Sequence, residues 1–338
     1  MKKYRVGVVG ATGAVGREMI KMLESRNFPV EQVRYLASEK SAGKKLSFLG
    51  KEVVVEQLKA DSGKGLDIAL FSAGAGVSKE FAPHFAREGC FVIDNSSAWR
   101  MEKDIPLVVP EVNPQDLGRD KKIIANPNCS TIQMVVALKP LHDAAKVTRV
   151  IVATYQSVSG AGQKGIDELK NQSMAWARGE KNAPPAKFQY PIAFNLIPQI
   201  DIFQENGYTK EEIKMVNETR KILGDDSIRL SATCVRVPVF RSHSEAVWIE
   251  TEKHITPAEA RDLLLKAPGV EVVDEPGKNK YPMPLYAENR QMTYVGRIRQ
   301  DFSTPNGLTF WVVSDNLLKG AALNAVEIAE TLISRKII

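Results

Sequence analysis

A glycine turn set between an apolar strand and a helix constrains this chain more than any other feature. Residues 4–9 are apolar. Gly10-Ala11-Thr12-Gly13-Ala14-Val15-Gly16 follows, and residues 16–26 have helical periodicity. A strand that feeds a helix through small residues opens a parallel α/β unit. The alternation continues. Residues 33–36, 68–72, 91–95 and 123–125 read as buried strands, with a second helical pattern at 79–88. Such a run predicts a parallel sheet covered on both faces, in the α/β class.

The turn has the spacing GxxGxxG rather than the GxGxxG usual for dinucleotides, but the physics is shared. Small residues let backbone amides approach a pyrophosphate at the positive end of the helix. Gly10, Thr12, Gly13, Ala14 and Val15 are therefore candidate cofactor contacts; the competing reading is a tight turn with no ligand. At the end of the second strand an NAD site normally places an acid on the ribose hydroxyl. Here the chain reads Ser38-Glu39-Lys40-Ser41. Ser38, Lys40 and Ser41 suit a 2′-phosphate and favour NADP, with Glu39 running against it.

The second half changes character. A β-rich run at 147–155 leads to a helix near 165–178 and a Pro-bearing loop at 179–198. Thr209-Lys210-Glu211-Glu212 reads as an N-cap with an acidic first turn, opening a helix to Leu223, and Thr256-Pro257-Ala258-Glu259 opens another. Strands are expected at 230–237, 244–251, 294–299 and 308–313, and a last helix at 317–334. This predicts a second, α+β domain with several antiparallel strands, in keeping with about two domains for 338 residues.

Composition removes other classes. The net charge of +6 is scattered, without a basic run or RNP motif, so nucleic acid is not the expected partner. No apolar stretch approaches the ~20 residues that span a bilayer, so no membrane partner is expected. Glycines interrupt residues 6–10, which read as a strand rather than a leader. Three widely spaced cysteines and four histidines show neither disulfide nor metal-ligand spacing, which points to a reducing cytoplasm and no metal.

One cysteine stands apart. Asn126-Pro127-Asn128-Cys129-Ser130-Thr131 follows a strand and precedes an apolar helical run. Helix-start amides stabilise a thiolate and could bind an oxyanion. Packing suits Cys90 and Cys234 better. A poised thiol beside a dinucleotide turn suggests thiol attack on an aldehyde, hydride transfer to a nicotinamide, and a thioester taken by phosphate or water.

With these residues in view, the chain resembles the bacterial aspartate-semialdehyde dehydrogenase family. The matching motifs are residues 10–16, Ala37-Ser38 with Ser41-Ala42-Gly43, and Asp94-Asn95-Ser96-Ser97-Ala98-Trp99-Arg100. They continue with residues 126–131, Gln156-Ser157-Val158-Ser159-Gly160-Ala161-Gly162 and Glu218-Thr219-Arg220-Lys221. Arg236-Val237-Pro238-Val239 with His243, and Ser314-Asp315-Asn316-Leu317, complete the set. They span nearly the whole chain in the family's order. Trp99 departs from the Phe of many relatives.

The resemblance implies a Rossmann-like NADP-binding domain at 1–128 and 317–338, its C-terminal helix returning to the first domain. A catalytic and dimerisation domain would occupy 129–316. It implies reductive dephosphorylation of 4-phospho-L-aspartate to L-aspartate 4-semialdehyde, with release of phosphate, by a homodimer or dimer of dimers. Cys129 would be the acylated nucleophile, His243 the acid/base and Gln156 the substrate-orienting group. Arg100 and Lys221 would hold phosphate, Glu218 the ammonium and Arg236 the α-carboxylate. Ser159, Gly160 and Asn316 would join the cofactor residues. On pattern alone Glu218 and Lys221 are a surface ion pair, and His243 a loop residue. An N-acetyl-glutamyl-phosphate reductase, or an inactive relative acting as a binding protein, are the competing readings.

Overall fold

The first strand, β1 (Tyr4–Val9), runs straight into the glycine turn and helix α1 (Ala14–Ser25). In the computed structural model, which describes residues 2–180 and 184–338, β1 lies at the centre of a seven-stranded sheet. β2 (Val30–Ala37), the hairpin β3 (Lys45–Phe48) and β4 (Lys51–Gln57), β5 (Ile68–Phe71), helix α2 (Ala75–Arg87), β6 (Phe91–Asp94) and β7 (Ile123–Ala125) complete it. The order is β3-β4-β2-β1-β5-β6-β7, parallel except for the β3–β4 edge. The chain turns outward from β1 in both directions, so the glycine turn sits at the switch point, the usual ligand crevice of such sheets. Phe71 and Phe85 meet edge to face at 5.0 Å in its core.

A second compact unit spans residues 128–320. Helix α3 (Cys129–Ala145) leads into β8 (Val147–Gln156) and helix α4 (Gln163–Ala177). Then come α5 (Lys210–Leu223), β9 (Arg229–Arg236), β10 (His243–Thr251), α6 (Pro257–Lys266), β11 (Val270–Val272), the single turn α7 (Pro284–Ala287), β12 (Thr293–Gln300) and β13 (Gly307–Ser314). The six-stranded sheet runs β11-β12-β13-β10-β8-β9. β10 is antiparallel to both β8 and β13, while β8 and β9 are parallel. Both Thr-initiated helices, α5 and α6, carry complete capping boxes. α3 is buried nearly all round, as a helix apolar on every face must be.

The C-terminal helix α8 (Leu323–Ser334) belongs to the first unit, which comprises residues 1–127 and 321–338. Arg26, just past α1, grips Glu330 of α8 through Nε at 2.8 Å and Nη2 at 2.6 Å. This helix is shorter than the expected 317–334. Residues 318–322 form a wide π turn. A Cβ on Gly320 would fall 2.7 Å from the Cβ of Cys129, so this turn must pass the cysteine without a side chain. The unit boundaries fall at 127/128 and 320/321, which leaves the π turn's first residues with the second unit. Of the Pro-bearing loop, residues 181–183 lie outside the described residues. The remainder is fixed by α4: Glu168 accepts the amides of Ala186, Lys187 and Phe188, and Gln172 those of Ile192 and Ala193.

Candidate active site

Cys129 is the first residue of α3 and is partly exposed, whereas Cys90 and Cys234 are buried. Burial pushes both of those thiols upward, away from reactivity. The turn before Cys129 is tightly determined. Asn128 is the N-cap, and its Oδ1 accepts the amides of Ser130 at 3.0 Å and Thr131 at 3.2 Å. Its backbone N–H donates to Glu218 Oε2 at 2.6 Å, and its Nδ2 to Glu211 Oε1 at 2.8 Å. The cysteine is therefore presented at a helix N-terminus, where the dipole favours a thiolate. The Arg236 charge also reaches it electrostatically.

Three further side chains gather at one edge of the second sheet. Gln156 ends β8, Arg236 ends β9 directly opposite it, and His243 begins the neighbouring antiparallel β10. The Gln156 amide donates to Thr154 Oγ1 at 3.3 Å and Glu211 Oε1 at 3.2 Å, so both N–H groups are engaged and Oε1 is its remaining polar atom. Arg236 donates to the Ser157 carbonyl at 2.7 Å and lies over the Phe188 ring at 5.8 Å. Burial lowers its pKa, opposed by Glu211 and Cys129, and a guanidinium this basic stays charged.

His243 is fully buried, and its Nδ1 accepts the Ser157 backbone N–H at 3.0 Å. That contact places the ring proton on Nε2, which has no partner among the described residues. Burial, and then the Arg236 charge, push its pKa well below the ordinary histidine value, so the ring is neutral at working pH. Gly160 closes this cluster. A Cβ there would lie 2.9 Å from Arg236 Nη1 and 3.2 Å from His243 Nε2. Asn316 Oδ1 accepts Ser157 Oγ and Ser159 Oγ, each at 3.1 Å, and the Ser242 amide at 2.9 Å. Its side chain is thus spent on fixing the turn after β8. Lys221 is half-buried on α5, one helical turn after Glu218.

The remaining candidates lie in the first unit. Gly10 has φ +82°, and a Cβ on it would meet the Ser72 carbonyl oxygen at 2.4 Å; on Gly16 it would meet Gly10 O at 2.2 Å. Gly13 faces outward, with only Gly10 O within 3.3 Å of its Cβ position, and no side chain caps α1. Thr12 donates to Ser41 Oγ at 3.3 Å, which joins the glycine turn to the turn after β2, where Ser38, Glu39 and Lys40 are exposed. The uncapped helix start beside Ala14 and Val15, with the hydroxyls of Thr12 and Ser41 joined next to it, fits a phosphorylated dinucleotide. Arg100 is anchored to the carbonyls of Asn126 and Asn95 at 3.0 and 3.1 Å.

Sequence reasoning missed two buried carboxylates. Glu211 read only as a first-turn acid. Yet Glu211 and Lys214 repeat the spacing of Glu218 and Lys221 seven residues earlier, on the same helix face, and that repeat was a usable signal. Glu245, inside β10, left no such signal. It is fully buried beside the Gln133 amide, and neither of its oxygens has a hydrogen-bond partner among the described residues.

Burial pushes the Glu245 pKa well above the ordinary glutamate value, so the folded state holds it protonated. Its raised folded pKa gives a stability contribution that is complete below the unfolded value of about 4.3 and is lost as pH rises through the folded one. Glu245→Gln should therefore raise the melting temperature at pH 8 by several degrees, and the gap should close near pH 4. A variant less stable than the parent at pH 8 would contradict this.

Residues 5–119 match the semialdehyde dehydrogenase NAD-binding domain family, and residues 138–319 the semialdehyde dehydrogenase dimerisation domain family. An aspartate-semialdehyde dehydrogenase of Aquifex aeolicus is 60% identical over 338 residues, 99% of either chain. The crystal structure of aspartate semialdehyde dehydrogenase II from Vibrio cholerae, complexed with ASA, superposes with a TM-score of 0.96 at 49% identity, covering 99% of each chain. The aspartate semialdehyde dehydrogenase of Candida albicans, solved with NADP, gives 0.79 at 26% identity over the whole of both chains. With both of its domains matched in order and at these identities, the chain belongs to the semialdehyde dehydrogenase family.

Proposed function

We propose that this protein catalyses the reversible, NADPH-dependent reductive dephosphorylation of 4-phospho-L-aspartate to L-aspartate 4-semialdehyde. The step serves the routes to lysine, diaminopimelate, methionine, threonine and isoleucine, and its setting is cytoplasmic. The observation that carries the reading is Cys129 at the start of a capped helix, the one cysteine of the three that is not buried, within reach of the Arg236 charge. The names and titles of its relatives support the same activity.

In the oxidative direction the Cys129 thiolate attacks the aldehyde carbon, and the sulfur–carbon bond forms as the carbonyl becomes an oxyanion. His243, neutral and protonated on Nε2, is assigned to hydrogen-bond that oxyanion. When bound, the nicotinamide accepts a hydride in this direction and supplies one in the other. A thioester remains on Cys129. Phosphate attacks it, and the thiolate leaves as acyl phosphate forms. Arg236, braced by the Ser157 carbonyl and Phe188, is assigned to the α-carboxylate, and Glu218 to the ammonium. Gln156 orients the substrate through the oxygen that its own hydrogen bonds leave over. Arg100 and Lys221 are assigned to phosphate.

Gly10, Thr12, Gly13, Ala14 and Val15 would hold the pyrophosphate, and Ser38, Lys40 and Ser41 the 2′-phosphate. Ser159 and Gly160 are assigned to the nicotinamide. Asn316 would act there through the turn it fixes. For assembly we propose a homodimer, or a dimer of dimers, built on the outer face of the six-stranded sheet. That face carries Ile151, Trp248 and the Tyr155–Trp311 ring pair, apolar groups that a monomer would leave in water.

The test is phosphate-dependent reduction of NADP with aspartate semialdehyde. Robust turnover is expected, with little from N-acetyl-glutamate semialdehyde, which lacks the ammonium. The reverse preference would move the assignment to the other acyl-phosphate reductases. Cys129→Ala should abolish turnover while NADPH binding persists. Arg236→Lys keeps the charge but loses the two-pronged geometry, and should lower kcat/KM by about 10²-fold, ~3 kcal/mol of transition-state binding. A loss below tenfold would make Arg236 structural. Ser38→Asp should narrow the preference for NADP over NAD by repelling the 2′-phosphate; an unchanged ratio would remove Ser38 from that contact.

A further inference from the structure

We infer that Asp315 is a positioning residue for His243: its carboxylate clamps Arg241 and so holds the left-handed turn at Ser242 from which the imidazole is delivered. The inference rests on the role assigned to His243 above.

The turn is strained directly before the ring. Ser242 has φ +73° and is fully buried, and among the described residues it is the one non-glycine with a left-handed φ that is not exposed. That conformation is unfavourable for a residue with a Cβ, and a serine keeps it only where its surroundings fix it from several sides. Its own hydroxyl gives no help, having no hydrogen-bond partner among the described residues. The support comes from the end of β13. His243 and Ser314 face one another in the antiparallel register, so the residues just past Ser314 lie against those just before His243. Asn316 Oδ1 accepts the Ser242 amide at 2.9 Å, and Asp315 Oδ2 accepts Arg241 Nε at 2.7 Å.

Asp315 is built as a fixed post. It is fully buried, and its two oxygens accept from four residues. Besides Arg241, Oδ2 takes the Asn289 amide at 2.7 Å, and Oδ1 takes the amides of Leu317 at 2.9 Å and Leu318 at 3.2 Å. Three of these four donors are backbone groups. The carboxylate is thus fastened to two stretches of main chain and holds Arg241 against them. Only a carboxylate accepts on every side in this way. The ring depends on the result. His243 Nδ1 accepts the Ser157 amide, and that contact puts the proton on Nε2. If Ser242 relaxes out of the left-handed region, the start of β10 moves, the ring leaves the Ser157 amide, and neither nitrogen is specified.

Asp315→Asn keeps the shape, but whichever way the amide turns, its NH2 meets a donor. It should lower kcat for phosphate-dependent NADP reduction by about 10²-fold, of the order seen when a buried charged hydrogen bond is lost, with the semialdehyde KM within about threefold. Nitrogen NMR of the histidine side chains, with His243 identified by its loss in His243→Asn, should show a single tautomer protonated on Nε2 in the unmodified protein. Asp315→Asn should show a mixture of both. Glycine takes the left-handed turn without strain, so adding Ser242→Gly to Asp315→Asn should recover about tenfold in kcat and restore the single tautomer. An aspartate that merely stabilises the fold would lower the melting temperature and leave the His243 signals unchanged well below it. That result, or a kcat loss that Ser242→Gly does not recover, overturns the inference. If Asp315→Asn does not fold, Arg241→Met cuts the same contact from its more exposed end and should also mix the tautomers; a single tautomer there overturns the inference. Mixed tautomers without any loss of kcat would uphold the positioning and remove His243 from the chemistry. The spectra need no substrate, so they decide the role of Asp315 even if the unmodified protein proves inactive toward the semialdehyde.

Discussion

The cap that Asn128 places on the helix beginning at Cys129 is the interaction on which the site depends. Capping by an Asn is ordinarily worth ~1 kcal/mol to a helix. Here its weight is larger in function than in stability. The same residue donates its backbone N–H to Glu218 and its side-chain amide to Glu211, and so ties the start of α3 to one face of α5. The thiol cannot shift without disturbing a buried carboxylate. Helix-start amides can thus act on sulfur from a fixed place, which electrostatic stabilisation requires.

Sheet register supplies the rest. Gln156 and Arg236 end adjacent parallel strands as a direct pair, and β10 runs back so that His243 starts where they stop. Three different side chains thereby share one edge. The electrostatics are costly. Arg236, Glu211, Glu218 and Glu245 are all buried, and removing one partner of a buried charge pair typically costs ~3–5 kcal/mol. Two devices limit that cost. Glu211 and Arg236 neutralise one another in part, and Glu245 and His243 give up their charges, as the directions of their shifts require. The imidazole that accepts the Ser157 amide is best suited to a donor role at Nε2, while the burden of positive charge falls on Arg236.

Much of this was legible in the sequence, because local rules decide it. The glycine turn, the Cys129 helix start and the two Thr capping boxes each follow from side-chain chemistry within one turn of chain. What escaped depends on tertiary neighbours. The β3–β4 hairpin is an edge with exposed charges, turned by Leu49 and Gly50 at φ 48° and 77°; a leucine in a left-handed position gives no turn signal. In the π turn at 318–322 Gly320 passes over Cys129, a contact between residues nearly two hundred positions apart. Glu211 matches the dipole preference of any helix first turn, and only β8 and α3 packed against it show that Asn128 and Gln156 donate to its carboxylate. The resemblance makes Asn316 a cofactor residue, and the fold adds what no sequence pattern carries, the hydrogen bonds of its side chain with Ser157, Ser159 and Ser242.

The central claim is that Cys129 carries the acyl group. Mixing the protein with 4-phospho-L-aspartate in the absence of NADPH isolates that step, since thiolate attack on the acyl phosphate releases phosphate and needs no hydride. Peptide mass mapping of the quenched mixture should then find one aspartyl group per chain, on the peptide containing Cys129, with Cys90 and Cys234 unmodified. Phosphate release without an adduct on Cys129, or an adduct on another residue, would contradict the account.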